Sequence, residues 1–235
     1  MTANLYITQP HEDVLLTRLW DISPSVGTDT PVYPGDTPYR QRWTAAIGVD
    51  SPANVGEITL STHIGAHADA PLHYDARGAA IGAVDLAPFL GICRVIHVIG
   101  CGPLIEWAHL AHALDGLPPR VLVRTCERAS LDRWDADLVA FAPATVERLA
   151  ERGVVLIGID TASIDPADST ALDSHQVVRR FDMRVLENLV LDAVPEGDYE
   201  LIALPLKLAT ADASPVRAVL RELPPAATAD RAQPR

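Results

Sequence analysis

A chain of 235 residues, 48% apolar and 21% charged, has the length and balance of one ordinary globular domain. These figures exclude a disordered or fibrous chain, and no apolar run approaches the roughly 18 residues that a membrane span needs. The net charge of −12, from 19 basic and 31 acidic residues, repels phosphate backbones and disfavours nucleic acid as a partner.

The first 17 residues show no clear period and read as an extension before the domain, without the basic start and apolar block of an export signal. A strand is expected at Leu19–Ile22, where apolar and polar residues alternate. Residues 24–38 are rich in Pro and Gly and read as a long irregular segment. Gly56–Ala70 alternates again, with Ile58, Leu60, Ile64, Ala66 and Ala68 at even positions. That is the period of a strand with one apolar face. Further strands are expected around Cys93–Ile99, at Val121–Thr125 and at Val154–Asp160. Glu106–Leu114 reads as a short helix, and Ala144–Arg152 as a second, framed by Pro143 and Gly153. Ser174–Phe181 has room for one or two helical turns, and late strands fall at Tyr199–Leu208 and Val216–Leu220. The tail from Pro224 onward has the composition of a disordered segment. Strands outnumber helices, which points to an α/β or α+β class with a mixed sheet. Three cysteines, Cys93, Cys101 and Cys126, are odd in number and form no CxxC pair. They read as free thiols in a reducing cytoplasm.

The odd positions of the Gly56–Ala70 stretch carry the chemistry. His63, His67 and Asp69, with His73 just beyond, share one parity and would point to one side of a strand. Imidazole nitrogens with a carboxylate suit Zn²⁺, and also Mn²⁺ or Fe²⁺. A straight strand spreads positions four apart over about 13 Å, and His63 and His73 over about 33 Å. Ligands of one ion must come within about 2 Å of it, so the chain has to bend. Gly65 permits a kink, and Pro71 ends ladder pairing. A helical pairing of His63 with His67 is opposed by Gly65, Pro71 and the even-position apolar run, and no HExxH is present. His11, His97, His109 and His112, taken singly, read as ordinary polar, solvated or capping residues. Nucleobase deamination is excluded because the PCxxC half of that motif is missing.

The pattern His63-x-Gly-x-His67-x-Asp69-x-Pro71-x-His73 resembles the signature of the cyclase-like metal-dependent hydrolases, in particular their kynurenine formamidase branch. Val32-Tyr33-Pro34-Gly35-Asp36, Gly158-Ile159-Asp160-Thr161, Leu186-Glu187-Asn188-Leu189 and Asp212-Ala213-Ser214-Pro215 extend the likeness over about Leu19 to Leu223. The resemblance implies an α/β single domain over residues 18–223, with a mixed, barrel-like sheet and flanking helices of the swivelling β/β/α type. It implies His63, His67, Asp69, His175 and Glu187 as ligands of one or two Zn²⁺ ions, Mn²⁺ or another divalent ion being possible. Asp69 and Glu187 would be able to bridge two ions. It implies His73 as the catalytic histidine, Trp20 as a substrate contact, and a cytoplasmic homodimer. The implied reaction is hydrolysis of N-formyl-L-kynurenine to L-kynurenine and formate. An isatin or other cyclic-amide hydrolase of the same superfamily is the sibling reading, and a non-catalytic metal-binding protein is the reading from another class. One departure is visible: Ala66 stands where many members carry Thr.

Overall fold

A computed structural model describes residues 17–224; His11 and most of the expected extension and tail lie outside the described residues. In chain order the strands are β1 (Leu19–Asp21), β2 (Arg40–Ala45), β3 (Val55–Thr59), β4 (His67–Asp69), β5 (Leu90–His97), β6 (Leu104–Ile105), β7 (Arg120–Arg124), β8 (Ala140–Phe141), β9 (Leu156–Ile159), β10 (Arg184–Glu187), β11 (Gly197–Ile202), β12 (Ala213–Pro215) and β13 (Val219–Glu222). The helices are α1 (Pro71–Tyr74), α2 (Trp107–Leu110), α3 (Pro143–Glu151) and α4 (Asp173–Arg180). Nine strands form one open mixed sheet in the order β1-β13-β11-β5-β7-β9-β10-β4-β12, which curls into a half-barrel. The centre, β5-β7-β9-β10, is parallel, and antiparallel pairs flank it on both sides.

Strand alternation divides the core into two clusters, one on each face. Leu122, Leu156, Leu186 and Ala68 belong to one, with Trp20, Phe89 and Tyr199. Val121, Val123, Ile157, Ile159 and Val185 belong to the other, against Val146 and Leu149 of α3 and Val177 and Val178 of α4. Gly158 faces the first cluster; a Cβ there would lie 2.5 Å from Leu122, so the strands pack closely only because the side chain is missing. α3 starts with Pro143 at its first turn and stops before Gly153, whose φ of +85° suits glycine.

Several expectations need correction. Gly56–Ala70 is not one strand: β3 ends at Thr59, turns follow, and β4 begins at His67. β3 pairs with β2, which the sequence reading missed, in a hairpin separate from the main sheet. The strand expected over Tyr199–Leu208 ends at Ile202. Of the one expected over Val216–Leu220 only Val219 and Leu220 are strand, the start of β13, and β12 ends just before it at Pro215. No helix among the described residues is long and apolar enough to cross a membrane.

Candidate metal centre

β4 contributes His67 and Asp69, whose shared parity puts both on the face packed by α4, while Ala68 between them enters the opposite cluster. β10 runs antiparallel to β4 in a register that sets Glu187 directly across from His67. A directly opposed pair brings Cβ atoms to about 5 Å. The Glu187 carboxylate accordingly lies 3.2 Å from His67 Nε2. α4 adds His175 from above, with Nε2 3.2 Å from Asp69 Oδ2 and 3.7 Å from Glu187 Oε1.

The turn before β4 delivers the remaining imidazoles. Gly65, at φ +61°, bends the chain so that His63 returns to within 3.1 Å of Asp69 Oδ1 through its Nδ1. Pro71 then opens α1, a single turn that brings His73 back over His63, with ring centroids 4.3 Å apart. The contour distance of about 33 Å between them is therefore folded away almost entirely. The four buried groups, His67, Asp69, His175 and Glu187, have side chains at most 5% exposed, whereas His63 and His73 are 23% and 29% exposed. The last two form the accessible side of the cluster.

Hydrogen bonding fixes which nitrogen atoms are free to ligate. His67 Nδ1 lies 2.9 Å from the Gly65 carbonyl, which can only accept, so Nδ1 donates. That leaves Nε2 as a lone pair facing two carboxylates. Buried His67 Nε2 has no hydrogen-bond partner, and Asp69 Oδ1 has only the 3.1 Å approach of His63 Nδ1. His175 Nδ1 is held at 2.7 Å by Asp165, which also accepts from the backbone N–H groups of Ser174 and His175 at the start of α4. Its Nε2 is thereby aimed at Asp69. Glu187 Oε1 accepts from the Ile164 backbone N–H at 2.7 Å. A carboxylate holding one imidazole nitrogen so that the other can ligate is the usual support of a metal site.

The electrostatics agree. Burial would pull the His175 imidazole down, but the hydrogen bonds to Asp165 and Asp69 outweigh it and raise it to about 10. Burial likewise opposes the charged form of His63, and Asp69 and then Asp212 raise it to about 9. Burial would push the Asp69 carboxyl up, yet its hydrogen bonds to His175 and His63 hold it well below the usual range. Positive charge is thus favoured at the point where these groups meet. The donor atoms of His67, Asp69 and Glu187 lie within 4.8 Å of one another, as do those of His63, Asp69 and His73, so Asp69 is common to two sets. The donor types, the distances and the orphaned lone pair of His67 fit a divalent cation.

Two residues were missed or left unassigned. Asp212, just before β12, places Oδ2 3.1 Å from His63 Nε2 and 3.4 Å from His73 Nδ1, and Oδ1 accepts from the Thr62 hydroxyl. Asp165 is visible in sequence only as one acid among several. Asp160, read as a strand-end residue, does follow β9 and accepts from Thr125 and Cys126. Ala66 is buried in the apolar cluster on the far face of the sheet. Trp20, on β1, is 6% exposed and stacks edge-to-face on Tyr199. It is not among the described residues that line the cavity beside the histidines. That cavity of about 450 Å³ is bounded by His63, His67, His73 and Glu187 and, further along, by Tyr33 and Trp134.

The family model described as "Putative cyclase" matches residues 20–166. The chain belongs to the Cyclase family. Curated kynurenine formamidases from Delftia acidovorans and Bordetella pertussis are each 71% identical to this family member, over 88% of its length and 98% and 100% of theirs. A solved structure of a "potential metal-dependent hydrolase with cyclase activity" superposes with a TM-score of 0.76 at 25% identity, covering 89% of this chain and 100% of that one. Isatin hydrolase A from Labrenzia aggregata superposes with a TM-score of 0.73 at 22% identity, covering 88% of this chain and 94% of that one, a likeness of fold.

Proposed function

We propose that this chain hydrolyses the formamide of N-formyl-L-kynurenine to give L-kynurenine and formate. The observation that carries the reading is the buried, unpartnered His67 Nε2, facing Asp69 and Glu187 beside a cavity of about 450 Å³, in a chain 71% identical to kynurenine formamidases. His63, His67, Asp69, His175 and Glu187 would hold one or two divalent ions, Zn²⁺ first among them and Mn²⁺ next. Bound there, such an ion would supply Lewis acidity toward the formyl oxygen and lower the pKa of water to about 7.

The protein's own groups do the rest. His73 stands on the accessible side, with Nδ1 held by Asp212, so its Nε2 is the nitrogen left for proton transfer. Attack of water on the formyl carbon forms a C–O bond and releases a proton to His73. Breaking the C–N bond requires that proton on the departing aryl amine, and His73 returns it. Tyr33 and Trp134, edge-to-face at 5.2 Å, offer an aromatic wall for the aryl ring. A contact from Trp20 would have to come from outside this cavity.

His67→Ala and His73→Ala test the assignment together. His67→Ala should lose both the metal and turnover. His73→Ala should keep its metal and lose about 10²–10⁴ in rate. A metal-free His67→Ala variant that is fully active would overturn the hydrolytic centre, and loss of metal from His73→Ala would make His73 a ligand. Isatin, offered beside N-formylkynurenine, separates the sibling reading.

A cytoplasmic homodimer completes the proposal. The three free thiols suit a reducing compartment. The β2–β3 hairpin supports a second copy as its partner. Among the described residues its strands pair only with each other, and Trp43 and Ile58, on one face by register, are each 58% exposed. An isolated two-stranded hairpin is marginal in water, and an exposed apolar face calls for a cover.

A further inference from the structure

The segment between β7 and β8 walls one side of the cavity and carries charges that the hydrolytic centre does not use. Arg128, Arg133 and Asp137 all line the cavity. Neither guanidinium makes a side-chain hydrogen bond or ion pair with any described residue, and the Asp137 carboxylate is likewise free. Asp135 on the same wall accepts from the Asp137 backbone N–H, so in a chain with 31 acidic and 19 basic residues the two arginines stand beside the cavity with no carboxylate taken up. The wall that carries them is tied down. The Arg124 side chain bonds the carbonyls of Cys126 and Glu127, and the Ala129 backbone N–H donates to Asp192 at 3.0 Å. The Ser130 hydroxyl donates to the Arg133 carbonyl at 3.0 Å, closing a turn between the two arginines. Further on, the Thr161 hydroxyl holds the Val139 carbonyl. Trp134, next to Arg133, packs against Tyr33 across the cavity lining.

A plain aryl formamide has no use for these charges, because its reacting carbonyl and its ring are served by the imidazole–carboxylate cluster and the aromatic wall. A substrate whose ring also bears an amino-acid arm presents a carboxylate and an ammonium group, and the wall offers the complement of each. Guanidinium groups match a carboxylate in shape as well as charge.

We propose that Arg128 and Arg133 receive the α-carboxylate of the substrate's amino-acid arm and that Asp137 receives its ammonium group, making this wall the specificity element of the site. The proposal rests on the formamidase reading above and names the part of the substrate that the reaction itself does not touch. Such contacts bind the arm equally before and during reaction, so they act on KM more than on kcat.

The test compares N-formyl-L-kynurenine with 2-formamidoacetophenone, which keeps the ring, the ketone and the formamide but lacks the arm. In the metal-loaded protein the ratio of kcat/KM for the two substrates should favour the armed one. In the Arg128→Ala/Arg133→Ala variant that ratio should collapse by about 10- to 100-fold through KM, the span expected for charged hydrogen bonds. Arg133→Lys, which keeps charge without the planar fork, should fall between. A second measurement needs no variant: L-kynurenine should bind the unmodified holoprotein about 10- to 100-fold more tightly by calorimetry than 2-aminoacetophenone, the product without the arm. Equal binding of the two products, or an unchanged ratio in the double variant, would overturn the proposal. If neither formamide is hydrolysed, the formamidase reading fails, and the calorimetry still decides whether the wall reads an amino-acid arm.

Discussion

His67 shows how one backbone contact fixes chemistry. The Gly65 carbonyl accepts a hydrogen bond from Nδ1–H, so in the neutral ring Nε2 faces Asp69 and Glu187 as a lone pair. Lone pairs facing carboxylates without a proton or a cation between them are costly in a dry interior. Asp165 does the corresponding work for His175, holding Nδ1 at 2.7 Å and capping α4 through two backbone N–H groups. Asp165→Asn should therefore lower metal affinity by about 10- to 100-fold, measured by competition with a chromophoric chelator; unchanged affinity would show that His175 is oriented by packing alone. Legibility differed residue by residue. His67 and Asp69 could be picked from parity, because strand alternation is written locally, whereas His63 in the turn before β4 and His73 on α1 were grouped with them by spacing in a segment that is not one strand. His175 and Glu187 rested on family resemblance alone, since a helix histidine and a strand-end glutamate carry no local mark of their destination. Asp212 and Asp165 act through histidines that lie about 140 and 10 residues away in sequence, and only the folded chain brings them together.

At the level of elements, the decisive feature is the turn between β3 and β4. Apolar alternation through Gly56–Ala70 reads as one strand, but Gly65 adopts a left-handed conformation and the chain reverses there. A Cβ at Gly65 would also lie 2.8 Å from Val26 Cγ2. Gly65→Ala should cost about 1–2 kcal/mol from the backbone conformation alone and should displace His63, lowering both the melting temperature and the metal content. A variant with wild-type melting and full metal would contradict the role of this turn. β10 went unforeseen for a different reason. Its four residues, Arg-Val-Leu-Glu, are too short for a period, and its place beside β4 is set by sheet order. The helices were easier to read, because Pro143 and Gly153 mark the ends of α3 in the sequence itself.

Across the whole molecule, the sheet order converts distant segments into one centre. β4 lies between β10 and β12, so residues 67–69, 187 and 212 meet, and α4 on the same face adds His175. The mixed class and the approximate strands followed from periodicity, whereas the order of the strands did not, since pairing partners depend on long-range packing. The exposed hairpin makes a claim at this scale as well. Trp43→Glu with Ile58→Glu should convert a dimer into a monomer by light scattering after gel filtration; a wild-type protein that is monomeric at micromolar concentration would remove the hairpin's assigned partner. The central claim is that buried imidazoles and carboxylates grip a divalent ion that hydrolysis requires. Elemental analysis of the purified protein, run beside N-formylkynurenine hydrolysis before and after chelation and re-addition of Zn²⁺, tests it most directly. The expected result is one or two divalent ions per chain, loss of turnover with their removal and recovery on their return; full turnover by metal-free protein would contradict it.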